Sequence, residues 1–245
     1  MSCLSDITIR TEKDMTGNPI LEVKDLNVSY GQSRVLFDVS LKAYAKEVVG
    51  VVGRNGAGKT TLMRTIGGFL KPSSGSVNFK GGNIVGLRSY EIVRKGLKYI
   101  PQDKGVFSDL TVMENLQLSS YAMKDYDWSK VTHYFPKLQQ LMNRKGAYLS
   151  GGERQMLMIG RAILGKPDVL LLDEPTEGLS PSVVQDLART FKELKESMTL
   201  VLVEQNLSVV AEVADRLYIM REGRISAEVS DANEIKTLSF EKYLL

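Results

Sequence analysis

Val48-Val-Gly-Val-Val-Gly-Arg-Asn-Gly-Ala-Gly-Lys-Thr-Thr61 is the segment from which the fold class of this chain follows. A short apolar run, a glycine-rich turn and a helix-forming segment follow one another, which is the context of a G-x-x-x-x-G-K-[ST] phosphate-binding loop. Glycines let successive backbone N–H groups point inward, and the N-terminus of the helix adds a partial positive charge. In such a loop Lys59 neutralises the β- and γ-phosphates of a nucleotide, and Thr60 offers its hydroxyl to Mg²⁺. The alternative, a glycine-rich turn without a ligand, is disfavoured by this context.

A second apolar segment ends in two carboxylates, in Asp168-Val-Leu-Leu-Leu-Asp173-Glu174-Pro175. Beside a phosphate-binding loop, an acid at the end of a strand orients the magnesium shell, and a neighbouring group positions or deprotonates water. We therefore predict that Asp173 belongs to the Mg²⁺ shell and that Glu174 is the general base. A solvated strand edge is the alternative for this segment taken alone.

The segment Leu149-Ser150-Gly151-Gly152-Glu153 indicates a second anion site. Ser150 and Glu153 have capping-box spacing, and the two glycines expose N–H groups at the start of a helix. One nucleotide has one γ-phosphate, which the first loop already holds. The second site therefore makes sense if it serves an ATP bound to another chain, in a head-to-tail dimer.

The remaining pattern predicts an α/β fold with a P-loop NTPase core. Nearly continuous apolar runs at 48–52, 169–172, 200–203 and 217–220 are typical of strands buried in a mostly parallel sheet. Alternating or short segments at 21–26, 35–41 and 76–79 predict an antiparallel β subdomain. The pattern of residues about 103–165 is mainly helical and predicts an inserted helical subdomain. We expect the side chains of Trp128 and Tyr126 to pack inside it. Residues 1–19 form a polar extension of the single domain 20–245.

Composition limits the function classes. The chain has 245 residues, 43% of them hydrophobic and 25% charged, with a net charge of +3 spread along the sequence. This balance is typical of a globular domain and gives no electrostatic footprint for nucleic acid. No apolar run reaches the ~18 residues of a membrane span, and the N-terminal residues do not resemble a secretory signal. The single cysteine, Cys3, favours a reducing compartment.

From Tyr30 to about Val229 the sequence resembles the nucleotide-binding subunits of ABC transporters. The resemblance implies that Tyr30 stacks on adenine beside Val35, that Gln102 touches Mg²⁺ and senses the γ-phosphate, and that 149–153 is the signature sequence. It also implies that Gly178-Leu-Ser-Pro181 crosses the dimer interface. The residues implied in ATP binding are Tyr30, Val35, Gly53, Arg54, Asn55, Gly56, Ala57, Gly58, Lys59, Thr60, Thr61, Gln102, Ser150, Gly151, Gly152 and Glu153; those implied for Mg²⁺ are Thr60, Gln102 and Asp173.

Two positions depart from the family pattern. The signature ends in Glu153 rather than glutamine, which still serves as a helix-capping side chain. In Val203-Glu204-Gln205-Asn206, Gln205 holds the place of the usual switch histidine, so we assign it a catalytic role beside Glu174 and Lys59. Alternatively, Gln205 only caps the helix that begins near Leu207. The single histidine, His133, lies in the helical insertion, where a surface or packing role is expected.

A narrower resemblance, carried by 105–116, 149–161 and 203–206, is to the paired ATPase subunits of branched-chain amino-acid importers and their urea or amide relatives. It implies hydrolysis of ATP to ADP and phosphate, coupled to transport through integral membrane permease subunits, with a solute-binding protein in the full system. The partner ATPase chain is identical or homologous, and the location is the cytoplasmic face of the membrane. The alternatives are a soluble ABC protein acting on nucleic acid, ribosomes or cluster assembly, and a P-loop kinase or GTPase, which has no use for Ser150–Glu153.

Overall fold

Two β-sheets organise the computed structural model, which describes residues 17–103 and 105–244. Most of the predicted polar extension, with Cys3, lies outside the described residues. Numbered along the chain, the strands of the larger sheet are, in spatial order, β10 (Arg224–Val229), β9 (Arg216–Arg221), β3 (Val48–Val52), β8 (Thr199–Glu204), β7 (Val169–Asp173) and β6 (Leu97–Ile100). Those of the smaller sheet are β2 (Ser33–Ala43), β1 (Leu21–Tyr30), β4 (Ser74–Phe79) and β5 (Gly82–Asn83).

The larger sheet is parallel except for its edge strand β10, which pairs antiparallel with β9. All residues of β3, β7 and β8 are buried, as expected for apolar runs covered on both faces. The register places Glu204 beside Val52 and Asp173 beside Val203, so the carboxyl ends of β3, β7 and β8 form one edge. Ligands of open α/β sheets bind at such an edge.

The smaller sheet confirms the predicted antiparallel layer, since β1 pairs antiparallel with both β2 and β4. One apolar cluster joins this layer to the larger sheet and to the helix that follows the phosphate loop; it includes Leu26, Leu36, Val51, Leu62 and Met63. The two sheets and that helix therefore form one packed unit, which confirms the α/β fold class.

The helices of the described residues are α1 (Lys59–Ile66), α2 (Ser89–Lys95), α3 (Val112–Met123), α4 (Ser129–Tyr134), α5 (Pro136–Gln140), α6 (Gly151–Ile163), α7 (Pro181–Lys195), α8 (Leu207–Val213) and α9 (Ala232–Lys236). Four of them, α3 to α6, occupy the segment in which a helical subdomain is predicted. No helix in the described part of the chain is long and apolar enough to cross a bilayer.

The packing of this helical segment agrees only in part with expectation. The indole of Trp128 packs against the core, and its Nε1 donates a hydrogen bond to Ser120 Oγ at 2.8 Å. The prediction that Tyr126 packs there was wrong, because 60% of the residue is exposed and its ring lies edge-on against the exposed ring of Tyr121. Trp128 alone therefore supplies the expected aromatic packing.

Strand β6 is a further element that the apolar pattern did not predict, because Lys98 and Tyr99 interrupt its run. Lys98 is nevertheless buried, and its ammonium donates hydrogen bonds to the carbonyl oxygens of Ala162, at 2.8 Å, and Leu164, at the end of α6. Those carbonyls lack helical partners, so the lysine takes the place of a C-terminal cap. Burial lowers the pKa of Lys98 to about 8.

Candidate functional site

The phosphate loop lies between β3 and α1, and its glycines are required by close backbone packing. A Cβ atom at Gly53 would lie 2.3 Å from the carbonyl oxygen of Met220. Gly58 has φ +102°, a left-handed conformation, and a Cβ atom there would lie 2.7 Å from Leu36. The loop backbone is therefore held against β2 and β9, with α1 beginning directly at Lys59.

Lys59 is buried within this loop. Its Nζ donates hydrogen bonds to the carbonyl oxygens of Gly53, at 2.9 Å, and Arg54, at 3.2 Å. Nζ also lies 3.6 Å from Oε1 of Glu174, and both side chains are less than a tenth exposed. The structure thus brings the predicted phosphate-binding cation and the predicted base into one buried ion pair.

Asp173, at the end of β7, lies beside Thr60. Thr60 Oγ1 donates a hydrogen bond to Asp173 Oδ1 at 3.3 Å, and the Tyr99 hydroxyl donates to Oδ2 at 3.0 Å. Burial raises the pKa of the Asp173 carboxyl, while these two hydrogen bonds act to lower it. Burial and the neighbouring Asp173 charge together raise the pKa of Tyr99.

The predicted magnesium ligands fit the ion by their chemistry. Hydroxyl, carboxylate and amide oxygens, from Thr60, Asp173 and Gln102, are hard donors of the kind that Mg²⁺ takes. The described residues contain no group of three or more His, Cys, Asp or Glu side chains that could hold a metal. A site with one carboxylate suits an ion that keeps waters and shares substrate phosphates, as Mg²⁺ does.

Glu174 occupies a constrained position. Its φ of +47° is left-handed, a conformation that costs a non-glycine residue of order 1–3 kcal/mol. Its amide donates to the carbonyl oxygen of Val203 at 2.9 Å, which ties the turn to β8. The side chain is only 7% exposed. The surrounding fold therefore holds this carboxylate in place at the edge of the sheet.

Two glutamines, Gln102 and Gln205, converge on that carboxylate. Gln102 Nε2 donates to Glu174 Oε2 at 3.2 Å, and Gln205 Nε2 donates to the same oxygen at 2.8 Å. Gln102 Nε2 also donates to Glu177 Oε2 at 2.6 Å. Although 103 residues separate the two glutamines in the sequence, the fold brings both amides to the predicted base.

The alternative role for Gln205, capping α8, was wrong. The N-cap of α8 is Asn206, whose Oδ1 accepts a hydrogen bond from Val209 N at 3.4 Å. The Gln205 side chain points to Glu174 instead. His133, the residue of the usual switch type, is largely exposed in the helical segment, 4.0 Å from Glu193.

The hairpin that carries Tyr30 and Val35 lies beside the phosphate loop. Phe37, on the same strand as Val35, donates its backbone N–H to Gly223 O at 2.8 Å, and Gly223 N donates to Ala57 O at 3.0 Å. Tyr30 is 45% exposed, which leaves its ring accessible to a planar ligand. An exposed aromatic on a hairpin that is linked to the phosphate loop suits the stacking role predicted for it.

The signature residues form a different set of contacts. Glu153 N donates to Ser150 Oγ at 3.3 Å, and Ser150 N donates to Glu153 Oε2 at 2.8 Å, which completes the predicted capping box of α6. Within the described residues, no hydrogen bond or ion pair joins Ser150–Glu153 to the phosphate loop or to Asp173 and Glu174. The two motifs predicted to bind anions therefore share none of these contacts.

Three further residues of the site were not predicted: Tyr99, Glu177 and Glu204. Glu204 is 2% exposed, and its carboxylate accepts hydrogen bonds from Thr176, Gln205 and Asn206. Burial raises the pKa of Glu204. One signal could have found this residue, since it ends an apolar strand at the same sheet edge as Asp173 and Glu174. Tyr99 and Glu177 leave no comparable signal.

Comparison with known proteins shows the family of this chain. Residues 36–177 match the family model described as ABC transporter. The chain is 40% identical over 211 residues to the high-affinity branched-chain amino acid transport ATP-binding protein BraG of Pseudomonas aeruginosa, covering 84% of this chain and 91% of that protein. It is 36% identical over 230 residues to the probable branched-chain amino acid transport ATP-binding protein LivF of Archaeoglobus fulgidus, covering 91% and 96%.

Among solved structures, the ADP conformation of an ATP-binding cassette of an ABC transporter is similar at a TM-score of 0.81 and 29% identity. The similarity covers 93% of this chain and 97% of that one, so it includes both sheets and the helical segment. By its sequence, its fold and its phosphate loop, this chain belongs to the ABC transporter family and is one of its ATPase subunits.

Proposed function

We propose that this chain drives the uptake of branched-chain amino acids, or of a related small polar solute, by hydrolysing ATP at the site around Glu174. The observation that carries the proposal is the buried Glu174 carboxylate, which contacts Lys59, Gln102 and Gln205 next to the Thr60–Asp173 pair. The substrate class is supported by the two relatives named for branched-chain amino acid transport. Their names also favour transport over the soluble alternative.

The nucleotide is held at its two ends. Tyr30, with Val35 beside it, provides an accessible ring for adenine, and the loop 53–61 provides backbone N–H groups and the Lys59 ammonium for the phosphates. Thr60, Asp173 and the Gln102 amide oxygen would hold Mg²⁺, which when bound neutralises charge on the β- and γ-phosphates. Burial of Lys59 strengthens its electrostatic interaction with the phosphates.

Glu174 acts as the general base. A water molecule attacks the γ-phosphorus, its proton passes to the Glu174 carboxylate, the bond to the β-phosphate oxygen breaks, and ADP and phosphate are released. Gln205 donates to Glu174 Oε2 and thereby orients the carboxylate. Gln102 follows the end of β6 and contacts the same oxygen, so its position reports the occupancy of the γ-phosphate site.

The active assembly requires a second ATPase chain, identical or homologous. Because no hydrogen bond or ion pair joins Ser150–Glu153 to the phosphate loop within the described residues, the Ser150 hydroxyl and the N–H groups of Gly151 and Gly152 would bind the γ-phosphate on the partner. The full system adds integral membrane permease subunits and a solute-binding protein, with this chain peripheral on the cytoplasmic face. Phe107, which is 50% exposed on the segment between Gln102 and α3, is a candidate contact for the permease.

Glu174→Gln tests this function. The amide keeps the shape of the side chain and removes the base, so binding of a fluorescent ATP analogue should persist while hydrolysis falls by ~10² to 10⁴. Glu196→Gln, at the exposed end of α7, removes the same charge and should leave turnover unchanged. Wild-type turnover of Glu174→Gln in saturating Mg²⁺ and ATP would assign the base elsewhere.

The transport proposal is tested separately. The chain is co-purified with its permease and reconstituted in vesicles, and ATP-dependent uptake of labelled leucine, isoleucine and valine is compared with uptake of urea. Uptake of the branched-chain amino acids supports the proposal. Uptake of urea alone assigns the related small polar solute instead of the branched-chain amino acids. Uptake of none of these solutes, or association with ribosomes or nucleic acid instead of a permease, contradicts it.

A further inference from the structure

We propose that Glu204 is a positioning residue for hydrolysis, which fixes the backbone of Gln205 relative to the loop that begins at Glu174. The inference rests on the proposed function, because it takes Gln205 to act on the base. Within the described residues, the Glu204 carboxylate makes its hydrogen bonds to the two loops that carry Glu174 and Gln205 and not to the phosphate loop.

The two carboxylate oxygens of Glu204 serve different loops. Oε1 accepts from the backbone N–H of Thr176 at 3.0 Å and from its hydroxyl at 2.7 Å. Oε2 accepts from the backbone N–H groups of Gln205 at 3.2 Å and Asn206 at 3.3 Å. One side chain therefore links the loop after β7 to the loop after β8.

This link keeps the Gln205 amide close to the Glu174 carboxylate. Thr176 lies two residues after Glu174, and Gln205 directly follows Glu204. The Gln205 side chain reaches back to Glu174 Oε2 at 2.8 Å, so the two loops and Glu204 form a closed ring of contacts. A rigid backbone at Gln205 limits the positions of its amide, which otherwise has several rotamers available.

The location of a carboxylate here is not explained by the stability of the strand. The rest of β8 is apolar or a buried threonine, and burial of Glu204 is unfavourable enough to raise its pKa. Burying a carboxylate costs free energy unless hydrogen bonds compensate for the lost hydration. Four donors aimed at one carboxylate instead indicate that this side chain organises the loops around the base.

Glu204 is also placed as a support and not as a second base. Its oxygens accept four hydrogen bonds from protein donors, and the residue is 2% exposed. Glu174, by comparison, accepts from side-chain amides that can move with the nucleotide. The proton of the attacking water therefore goes to Glu174, and Glu204 acts through Gln205.

The test compares Glu204→Gln with Glu47→Gln. Glu47 is a matched control, because it is also a buried carboxylate whose pKa is raised by burial, but it lies before β3 and pairs with Tyr44 N and Arg216. We expect both variants to lower the melting temperature. Only Glu204→Gln should lower kcat, by tenfold or more, with the Kd of a fluorescent ATP analogue within twofold of wild type. An unchanged kcat in Glu204→Gln overturns the proposal.

A double-mutant cycle with Gln205→Ala shows whether Glu204 acts through Gln205. Once the Gln205 amide is gone, Glu204→Gln should have no further effect on kcat, so the double variant should equal Gln205→Ala. If Glu204→Gln lowers kcat by the same factor in both backgrounds, the proposed route is wrong.

A milder variant covers the case in which Glu204→Gln does not fold. Thr176→Ala removes only the hydroxyl donor to Glu204 Oε1, and we expect a smaller loss of kcat that also disappears in the Gln205→Ala background. Additive losses would again overturn the proposal. Failure of the proposed function is recognised independently, because the wild-type chain would then neither bind the ATP analogue nor hydrolyse ATP.

Discussion

The chemistry of this site depends on the contacts that hold one carboxylate, that of Glu174. Glu174 has a left-handed backbone conformation and a buried side chain, and it accepts hydrogen bonds from two amides beside a buried lysine. Strain of this kind persists only where surrounding contacts determine it, and it is common at functional sites. The carboxylate is therefore preorganised, which reduces the reorganisation needed in the transition state.

Gln205 gives the first residue-scale prediction. A hydrogen bond to a charged group contributes roughly 1.5 to 3 kcal/mol, so Gln205→Ala should lower kcat by about 10- to 100-fold. The Kd of ATP should change less, because the lost contact is to Glu174 and not to the nucleotide. Steady-state kinetics with unaltered kcat and KM would leave the chain without a switch residue.

The pH dependence of hydrolysis gives the second residue-scale prediction. Glutamine does not titrate, so position 205 contributes no limb to the wild-type pH–rate profile. Gln205→His introduces a group with an ordinary pKa of about 6.5, and the variant should gain a limb near that pH. The profiles of the two proteins are compared between pH 5.5 and 9, with Gln205→Ala as the control that should lack the limb.

At the scale of elements, both ends of α6 are capped, each by a different kind of side-chain interaction. Its N-terminus carries the capping box of Ser150 and Glu153, and its C-terminal carbonyls receive the ammonium of Lys98 from β6. Asp125 reinforces this end, since its Oδ2 accepts from Gly165 N at 2.7 Å. The signature helix is thus attached to the strand that leads to Gln102.

The N-terminal cap can be separated from phosphate binding by comparing α6 with α3. Both helices begin with a capping box, Ser150 with Glu153 and Thr111 with Glu114. Ser150→Ala and Thr111→Ala should each cost about 1 kcal/mol of unfolding free energy. In a Glu174→Gln background, only Ser150→Ala should weaken the dimer that forms with Mg²⁺ and ATP, measured by sedimentation. Equal weakening by both would indicate that capping alone is responsible.

The C-terminal cap predicts a pH dependence of stability. Below pH 8 Lys98 is charged in both states, and the folded state carries the full cost of its burial. Between pH 8 and 10.5 the folded protein loses this proton while the unfolded chain retains it, so stability rises with pH in this window. The unfolding free energy of wild type minus that of Lys98→Met should therefore increase, by at most about 3 kcal/mol.

Urea denaturation at several pH values measures this difference, and other titrating groups cancel in it. Lys95→Met, at an exposed position near the same strand, is the control and should show no such increase. A difference between wild type and Lys98→Met that does not change with pH would contradict the assignment.

At the scale of the whole molecule, Phe107 combines a fixed backbone with an exposed aromatic side chain. The backbone at Phe107 is fixed by Asn115, which accepts from Phe107 N and donates to Phe107 O, each at 3.0 Å. The Phe107 ring itself is half exposed, with the Arg161 guanidinium 4.9 Å from its centroid. A fixed backbone that presents an exposed aromatic ring suits an interface.

Phe107→Ala should therefore reduce hydrolysis stimulated by the permease and leave the basal rate of the isolated chain within about twofold. Tyr243→Ala, which removes another exposed ring near the C-terminus, is the control and should affect neither rate. Both rates are measured with the permease in detergent or vesicles. Equal loss of basal and stimulated hydrolysis in Phe107→Ala would indicate damaged folding instead of lost docking.

Sequence alone predicted the features that depend on local pattern. The apolar runs, the glycine loop and the helix after it identify a parallel α/β sheet, because buried parallel strands need continuous apolar residues. The rule that the carboxyl ends of parallel strands form one edge then places Asp173 and Glu174 near the loop that begins at Gly53. The role expected of Gln205 came from the family resemblance. The family resemblance supplied the expected roles of Tyr30 and Gln102, which no local pattern gives.

Only the tertiary structure decided which of these side chains touch. That Gln102 and Gln205 share one oxygen of Glu174, and that Glu204 joins the two loops, depends on distances between strands far apart in sequence. Strand β6 was not predicted for the same reason, since Lys98 is polar in sequence and becomes a core residue only because the end of α6 supplies carbonyl acceptors. Burial of a polar residue is costly unless it has a hydrogen-bond partner, and the packing of the whole chain decides which partner it has.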